Sequence, residues 1–351
     1  MMDEEILKAC QEQLPYFRTP EFSATVLENE KMLLEIANAP KGSRIAFLTT
    51  SGTGGMEACV TNIFDSKDKV IVVNGGGFGQ RFADLCKIHK IPYDEIRKKQ
   101  GENITQADID KFDGKGYTGF IVNIHETSTG VLYDKKIISD FCKKNRIKLV
   151  VDAISSFLAD PIDMQALGAY AIIIGSQKAI ALPPGMSCLF LSPDCVRQIY
   201  DRTNTECMYL DLKIALKNGE RGQTPFTPAV GVLLMMNKRL KQIMSKGVDA
   251  TLNHVRDLAL YFRSRIIGYP FVIASKYPSN ALTVLSPSDK CKMKPSELFE
   301  TMKNEYDIFI CPNGGEFKEK LFRIGHIGAL EKSDYDRLFD AFDDLMRQGR
   351  L

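Results

Sequence analysis

The feature that most constrains this chain is a rhythm in which short β-branched runs alternate with longer helical patterns. The runs lie in SRIAFLTTSGTGG from Ser43, DKVIVVNGGGFG from Asp68, YTGFIVNIHETSTG from Tyr117, RIKLVVDAISSF from Arg146 and AYAIIIGSQKA from Ala169. Nearly continuous apolar strands separated by helices are typical of a largely parallel sheet covered on both faces. The sequence therefore predicts an α/β protein.

The helical patterns after the first two runs predict helices from about Met56 and about Gln80. The pattern changes after about residue 240, where VDATLNHVRDLALYFRSRIIG predicts a long amphipathic helix. NALTVLSP, IFICPN and KLFRIGHIG predict short strands, and SDYDRLFDAFDDLMRQ predicts a last helix. We therefore expect a large domain in 1–240 and a smaller α+β domain in 241–351, with 1–22 packing on the small domain or on a partner.

Composition excludes several classes of protein. The chain has 351 residues with a net charge of +2, which gives no reason to expect nucleic acid or an anionic membrane as a partner. No apolar stretch reaches the length of a membrane span, and the acidic N-terminus is unlike a signal peptide. The nine cysteines show no zinc-site spacing, so we predict no metal and a reduced, cytoplasmic chain.

Ligands of open α/β sheets bind outside the carboxyl ends of the strands. After the first run, Ser51, Gly52, Thr53 and Gly54 precede a helix, whose start offers free N–H groups to a phosphate. A plain glycine-rich turn explains this stretch equally well. A dinucleotide-binding fingerprint fits poorly, because Glu57 stands at the third glycine position.

The next strand ends carry an aromatic ring and hydroxyl groups. Phe78 stands among four glycines and has little local packing, so its ring could lie on a flat ligand. A phenylalanine that covers the sheet edge is the favoured alternative. Thr127 follows the titratable pair His125 and Glu126, and its hydroxyl could donate to a ligand oxygen; helix capping and turn chemistry are equally good explanations.

The last two strand ends carry an acid and a lysine. Asp152 leaves a buried strand, which is costly unless it meets a metal, a cationic ligand atom or an arginine; a structural ion pair is the alternative. Lys178 follows AIIIGSQ, so either its stem reaches water or it reacts. A buried lysine tends to lose its proton, and the neutral amine can form a Schiff base with a carbonyl group.

These five strand ends together match the needs of one cofactor. Pyridoxal 5'-phosphate needs N–H groups for its phosphate, a face for its ring, an acid for its ring nitrogen and a lysine for its aldehyde. Asp152 and Lys178 supply the last two of these. The sequence therefore predicts pyridoxal phosphate as the cofactor.

The motifs SGTGGMEA, NGGGFGQR, HETSTGVL, VDAISSF, GSQKA with PPG, and FRIGHIG occur in that order from about Phe22 onward. In this order they resemble the class V aminotransferases, most of all the 2-aminoethylphosphonate–pyruvate transaminase group, with serine– and alanine–glyoxylate aminotransferases as relatives. The resemblance implies a fold-type I transferase. Its large domain would hold a mostly parallel sheet between helices, beside a smaller α+β C-terminal domain.

The resemblance also implies roles for single residues. Lys178 would form the Schiff base and move protons, Asp152 would pair with the ring nitrogen, and Phe78 would stack on the ring. Thr227, in PFTP, would reach the phosphate of a partner subunit, which implies a homodimer with active sites at the interface. Arg323, in FRIGHIG, would bind the substrate carboxylate. The other residues assigned to the cofactor are Ser51, Gly52, Thr53, Gly54, Thr127, Ser176 and Gln177.

The implied reaction is transamination from a small amine or amino acid, with 2-aminoethylphosphonate-like donors favoured, to a keto acid such as pyruvate. Two departures concern the substrate. The chain has no glycine before Gly42, so it lacks the relatives' N-terminal Gly-Pro loop, and Gln177 stands where the phosphonate enzymes have Asn, as in the glyoxylate enzymes. A serine/alanine–glyoxylate type of aminotransferase therefore stays open.

Two further alternatives stay open. One is a lyase or decarboxylase on the same scaffold, for which Cys311 in FICPNGG is a candidate thiol, although a strand-end thiol is the simpler interpretation. The other is a cofactor-free binding protein that keeps the fold. The presence of both Asp152 and Lys178 counts against it.

Overall fold

A computed structural model describes residues 1–9 and 11–351. The strands are β1 (Arg44–Leu48), β2 (Val70–Asn74), β3 (Tyr93–Arg97), β4 (Gly119–Asn123), β5 (His125–Glu126), β6 (Val131–Leu132), β7 (Lys148–Asp152), β8 (Ala169–Gly175), β9 (Ser187–Leu191), β10 (Phe271–Ile273), β11 (Leu282–Pro287), β12 (Cys311–Pro312) and β13 (Phe322–Gly325). The helices are α1 (Glu4–Ala9), α2 (Pro20–Ile36), α3 (Gly52–Ile63), α4 (Gly77–Ile88), α5 (Gln106–Asp110), α6 (Lys135–Asn145), α7 (Met164–Leu167), α8 (Pro193–Asp201), α9 (Leu212–Gly219), α10 (Val230–Lys246), α11 (Val248–Arg265), α12 (Pro295–Tyr306) and α13 (Lys332–Arg347).

The central sheet has seven strands in the order β1-β9-β8-β7-β4-β2-β3. Strands β3, β2, β4, β7 and β8 pair in parallel, while β9 runs antiparallel to both β8 and β1. The alternating side chains of β2 enter two different cores: Ile71 and Val73 pack on one face, and Val70 and Val72 on the other. The predicted α/β fold, with a mostly parallel sheet between helices, is confirmed.

The predicted starts of two helices were wrong by three or four residues. α3 begins at Gly52 rather than near Met56, and α4 begins at Gly77 rather than near Gln80. The glycines there suggested turns, but the helices include them. A Cβ on Gly52 would lie 2.3 Å from Cδ1 of Ile154, so a larger residue at that first helical position would displace the Ile154 side chain.

The smaller sheet is antiparallel, in the order β10-β11-β13-β12, and packs with α11, α12 and α13 around a separate apolar core. The predicted long helix, short strands and last helix are confirmed. α10 still packs on α2 of the large domain. We therefore propose the domain boundary at Gly247, where φ is +91° between α10 and α11; the boundary near residue 240 stays a prediction.

The two domains meet at a buried seam beside Asp160, which is 2% exposed. Its carboxylate accepts hydrogen bonds from Asn280 N at 3.0 Å and from Ser279 Oγ at 2.5 Å. Asp160 ends the loop after β7, while Ser279 and Asn280 precede β11. This seam therefore joins the carboxyl edge of the large sheet to the small sheet.

The first residues lie against both domains. Ile6 of α1 is buried in a core of the large domain, and the carbonyl of Met1 accepts from Ala329 N at 3.0 Å. The packing of 1–22 on the small domain or on a partner stays a prediction. Within residues 1–9 and 11–351, no helix combines the length and the apolar character needed to cross a bilayer.

Candidate active site

Three neighbouring strands bring the predicted residues to one edge of the sheet. β7 ends in Asp152, which lies opposite Asn123 at the end of β4 and opposite Ile173 near the end of β8. β8 continues into the turn that carries Lys178. β1 ends at the same edge, because it runs parallel to β8 on the far side of β9, and it leads to Ser51. The acid, the lysine and the glycine-rich loop therefore share one site.

Lys178 lies half-buried in the turn between β8 and β9. The hydroxyl of Ser176 shapes this turn, donating to Pro183 O at 2.7 Å and accepting from Met186 N at 3.3 Å. Burial lowers the pKa of Lys178, and the positive charge of Arg323 lowers it further. The lowered pKa increases the fraction of Lys178 that is an uncharged, nucleophilic amine near neutral pH.

Asp152 is only 6% exposed and accepts one hydrogen bond, from Ile154 N at 2.8 Å. Burial raises the pKa of Asp152 to about 7, and the charge of Glu126 adds to this; the Ile154 N–H, Lys178 and Arg81 act in the opposite direction. A cation placed against this carboxyl group would favour its ionised form. A protonated ring nitrogen is such a cation.

The glycine-rich loop is closely packed at the start of α3. Gly54 N donates to Ser51 O at 2.9 Å, and a Cβ on Gly54 would lie 2.6 Å from Cβ of Thr50. Ser51 is extended, and its side chain makes no capping hydrogen bond within the described part of the chain. The helix start thus offers backbone N–H groups and the positive end of a dipole to an anion.

Phe78 is linked to this loop by Arg81, which the sequence analysis did not single out. The Arg81 guanidinium lies 4.8 Å from the centroid of the Phe78 ring, and Nη1 donates to Thr53 Oγ1 at 3.0 Å. The spacing of three residues in GFGQR places both side chains on one face of α4, so the signal was present in the sequence. Arg81 adds positive charge beside the glycine-rich loop.

The buried carboxylate of Glu126 fixes the start of α4. Oε2 accepts from Phe78 N at 3.1 Å, Gly79 N at 3.0 Å and Asn123 Nδ2 at 2.9 Å. Oε1 accepts from Ser128 N at 3.1 Å and Ser128 Oγ at 2.6 Å. Glu126 therefore holds the backbone that carries the Phe78 ring. The sequence indicated a titratable residue here but not this contact, which depends on tertiary packing.

Several buried polar atoms at this edge have no hydrogen-bond partner among the residues that the structure describes. They are Asn123 Oδ1, His125 Nε2, Gln177 Oε1 and Arg323 Nε. A buried polar atom without a partner costs about 1–3 kcal/mol, so this concentration is what a polar ligand would satisfy. Together with the anion-binding helix start, the aromatic ring, the acid and the lysine, these atoms fit pyridoxal phosphate.

Three predicted cofactor residues, Thr227, Ser176 and Thr127, differ in their surroundings. Thr227 is exposed beside the stacked rings of Tyr209 and Phe226, whose centroids are 5.2 Å apart. The Ser176 hydroxyl is engaged within its own turn. Thr127 is buried directly after Glu126. The cofactor roles of all three stay predictions.

Comparison with known proteins identifies the family. The sequence model of the aminotransferase class-V family matches residues 17–302, which is well over half of the chain. The soluble hydrogenase small subunit of Synechococcus sp. is 28% identical over 83% of this chain and 77% of its own length. The L-aspartate–glyoxylate aminotransferase of Paracoccus denitrificans is 26% identical over 93% of this chain and 84% of its own.

The 2-aminoethylphosphonate–pyruvate transaminase of Pseudomonas putida is also 26% identical, over 93% of this chain and 89% of its own length. Among solved structures, the alanine–glyoxylate aminotransferase of Nostoc sp. superposes with a TM-score of 0.91 at 21% identity, covering 98% of this chain and 92% of that one. This likeness shows the fold. The protein is an enzyme that belongs to the class V aminotransferases, and its cofactor is pyridoxal phosphate.

Proposed function

We propose that this enzyme transfers the amino group of a small amine or amino acid to a keto acid such as pyruvate, with 2-aminoethylphosphonate-like donors favoured. The observation that carries the proposal is the pairing of a half-buried lysine with a nearby guanidinium. Burial and the charge of Arg323 both lower the pKa of Lys178. An amine with a lowered pKa beside a carboxylate-binding group suits transamination between an amine and a keto acid.

Arg323 is the proposed site of the substrate carboxylate. It stands on β13, opposite Cys311 of β12, and its Nη2 donates to Pro312 O at 2.6 Å. This contact fixes the side chain, while the buried Nε has no partner within the described residues. A guanidinium held in this way can offer two parallel N–H donors to a carboxylate.

Lys178 and Asp152 carry the chemistry in this proposal. Pyridoxal phosphate, when bound, supplies the aldehyde and the electron-withdrawing ring on which amino transfer depends. The uncharged Nζ of Lys178 is the base that takes and returns the proton of the substrate carbon. Asp152 is the partner of the ring nitrogen, because its buried carboxylate is stabilised by an adjacent cation.

The proposed cofactor contacts surround these two groups. Phe78 supplies a ring face, and Arg81, bonded to Thr53, reinforces the positive end of α3. The other proposed contacts are Ser51, Gly52, Gly54, Thr127, Ser176 and Gln177.

We also propose a homodimer with active sites at the interface. Thr227 is exposed, and the segment that carries it is anchored on the end of β1: Tyr209 OH donates to Thr49 O at 3.2 Å, and Ala229 N donates to Thr49 Oγ1 at 3.1 Å. A firmly held, exposed hydroxyl suits a contact with the phosphate bound by a second subunit. The cytoplasmic location stays a prediction.

The experiment is a screen of half-reactions. 2-Aminoethylphosphonate, serine, alanine and other small amines are added singly to the cofactor-loaded protein while the cofactor absorbance is followed. We expect 2-aminoethylphosphonate to convert the cofactor to its amine form, and pyruvate to reverse the change with release of alanine. Lys178→Ala is the control that should show no conversion. If no donor changes the spectrum, the proposed reaction is wrong for these amines.

A glyoxylate-type aminotransferase is the second candidate, favoured by Gln177 in the lysine turn and by the similarity to the aspartate–glyoxylate enzyme. Its test is the return half-reaction, in which glyoxylate should restore the aldehyde form of the cofactor faster than pyruvate does.

A lyase is the third candidate, favoured by the exposed Cys311 opposite Arg323. Release of sulfide or carbon dioxide during turnover would support it against both transaminases.

A further inference from the structure

The imidazole of His125 is buried beside the reactive edge, and only one of its nitrogens has a partner among the described residues. The residue is 3% exposed, and Nδ1 lies 3.0 Å from Ser155 Oγ. Nε2 has no hydrogen-bond partner among residues 1–9 and 11–351. Nothing in the predicted cofactor or substrate contacts uses this nitrogen. Because buried ring nitrogens are almost always paired, the free Nε2 points to a missing partner.

The position of His125 is fixed from two sides. The preceding Ile124 N donates to Asp152 O at 3.0 Å, which ties the start of β5 to the end of β7. Ser155 follows Asp152 by three residues and holds the ring itself. The following residue, Glu126, is locked by five hydrogen bonds. The imidazole therefore has little freedom to turn toward another protein group.

Two of the three positive charges that act on His125 belong to the proposed site, and the third is Arg263 of the small domain. Burial lowers the pKa of His125 to about 3, and the charges of Lys178, Arg263 and Arg323 lower it further. The ring is therefore neutral at physiological pH, and cations surround it. An acceptor oxygen of a bound molecule, attracted by the same cations, is the group that this surrounding favours.

The Ser155 hydroxyl engages Nδ1 in either tautomer of the ring. Oγ donates to Nδ1 at 3.0 Å, or it accepts from Nδ1 and donates to the His125 carbonyl at 3.5 Å. A hydroxyl that donates to Nδ1 leaves the ring proton on Nε2. Nε2 is then a donor.

We propose that His125 Nε2 donates a hydrogen bond to an anionic oxygen of the molecule bound at Lys178. This inference rests on the proposed function. The oxygen belongs either to the ring of the cofactor or to the carboxylate of the substrate. Both are anionic acceptors, and the experiment below separates them. His125 would be a binding and positioning residue, with Ser155 Oγ donating to Nδ1.

The first test observes the imidazole directly. The chain has four histidines, so ¹⁵N-histidine labelling gives few signals, and His125→Asn assigns the one of interest. Spectra are recorded without cofactor, with pyridoxal phosphate, and with pyridoxal phosphate plus pyruvate, which cannot react in the absence of an amine. We expect a protonated Nε2 whose proton signal shifts downfield by about 1 ppm or more and becomes protected from solvent exchange.

The step at which the signal moves identifies the acceptor. A shift on adding pyridoxal phosphate identifies a cofactor oxygen, and a shift only on adding pyruvate identifies the substrate carboxylate. A signal that moves at neither step overturns the inference, as does a ring whose Nε2 carries no proton. Borohydride-stable attachment of the cofactor to Lys178 is measured in the same samples. If attachment occurs while the His125 signal stays fixed, this inference fails alone; if attachment does not occur, the proposed function fails with it.

The second test uses two variants of His125 whose side-chain amide nitrogens lie at different distances from the backbone. The amide nitrogen of glutamine can occupy the place of Nε2, whereas that of asparagine reaches only the place of Nδ1. We expect His125→Asn to weaken cofactor or pyruvate binding about tenfold or more, and His125→Gln to recover most of this loss. His254→Asn is the matched control, because His254 is exposed and bonded to Leu330 O. Equal affinities for the Gln and Asn variants would overturn the inference, provided that both unfold cooperatively.

Discussion

Two buried histidines of this protein have similarly lowered pKa values but differ in their hydrogen bonding. His326, 0% exposed in the small domain, lies 2.8 Å from Thr283 Oγ1 through Nε2 and 2.9 Å from Tyr335 OH through Nδ1. Among the residues that the structure describes, His125 at the edge of the large sheet has one such partner. Burial lowers the pKa of each to about 3. Burial and a shifted pKa therefore do not distinguish a structural histidine from a binding one, whereas the paired or unpaired second nitrogen does.

The same contrast extends to the regions around them. At the sheet edge, Asn123, Gln177 and Arg323 also have unpartnered buried atoms among the described residues. Around His326, the side chains of Arg263, Thr283 and Tyr335 form a connected network. We expect changes at the sheet edge to alter ligand binding with little loss of stability. Changes in the His326 network should reduce stability with little effect on ligand binding.

The largest expected effect is that of Lys178→Ala. Turnover should fall by at least about 10³-fold, because the variant lacks the base and nucleophile of the proposed reaction. Its thermal unfolding midpoint should be unchanged or higher, since a half-buried polar amine whose pKa is lowered by burial is removed. Enzyme assays and thermal denaturation measure both quantities, with the exposed Lys115→Ala as control. A large loss of stability in Lys178→Ala would contradict the expectation that changes at the sheet edge alter ligand binding with little loss of stability.

The pH dependence of the unfolding free energy should distinguish the contribution of Asp152 from that of the two histidines. The pKa of Asp152 is about 7 in the folded protein against about 3.9 unfolded, so the folded state holds the proton more tightly between these values. The protonated Asp152 carboxyl group therefore contributes to the unfolding free energy. This contribution is fully present below about pH 4 and is lost as the pH rises through about 7. Relative to the wild type, cofactor-free Asp152→Asn should therefore gain about 2–4 kcal/mol in unfolding free energy across this window.

Urea denaturation at several pH values measures this difference. The two histidines contribute with the opposite sign, because their lowered pKa values make stability increase with pH from about 3 to about 6.5. Their contribution is common to the wild type and to Asp152→Asn and cancels in the difference. If the two stability curves run parallel from pH 4 to 7, Asp152 does not hold the proton as described.

A smaller effect is expected from the His326 network. His326→Ala removes one hydrogen-bond partner each from Thr283, which keeps Arg263 Nε, and from Tyr335, which keeps the Gly325 carbonyl. It also opens a cavity beside Phe262, so the unfolding free energy should fall by about 2–3 kcal/mol. The affinity of the folded fraction for pyridoxal phosphate should stay within about twofold. Denaturant titration and cofactor titration test these values. Tyr335→Phe, which removes one hydroxyl, should cost about 1 kcal/mol.

The smallest expected effect is that of Arg81→Met on cofactor affinity. Arg81→Met removes the guanidinium over the Phe78 ring and the hydrogen bond to Thr53 Oγ1. Cofactor affinity should decrease about three- to tenfold, corresponding to about 1 kcal/mol, while stability changes by less than about 0.5 kcal/mol. Arg97→Met, at an exposed ion pair with Glu95, is the matched control in the cofactor titration. Equal affinity in the two variants would exclude a role for Arg81 in the site.

The sequence predicted the central features of the site because they depend on local patterns. Asp152 and Lys178 each follow an apolar strand, and parallel strands bring such positions to one edge whatever the details of packing. The fold class follows from the same pattern. The resemblance to a family added Arg323, which has no local signal of its own.

The remaining features depend on contacts between distant parts of the chain. The antiparallel direction of β9 and the five donors around Glu126 are set by tertiary packing, which a single sequence does not display. Gly52 and Gly77 suggested turns and are the first residues of α3 and α4, because the weak preference of glycine for turns does not decide where a packed helix begins. The free Nε2 of His125 could be found only once its surroundings were known.

The seam at Asp160 has a consequence for how such an enzyme changes over evolutionary time. Asp152 ends β7 and Lys178 lies in the turn after β8, whereas Arg323 belongs to β13 of the small domain. The distance between Lys178 and Arg323, the proposed carboxylate-binding residue, is therefore set by how the two domains pack together, in part through Ser279 and Asn280. Substitutions along that joint can adapt the enzyme to a longer or shorter substrate while every residue that retains the cofactor stays unaltered.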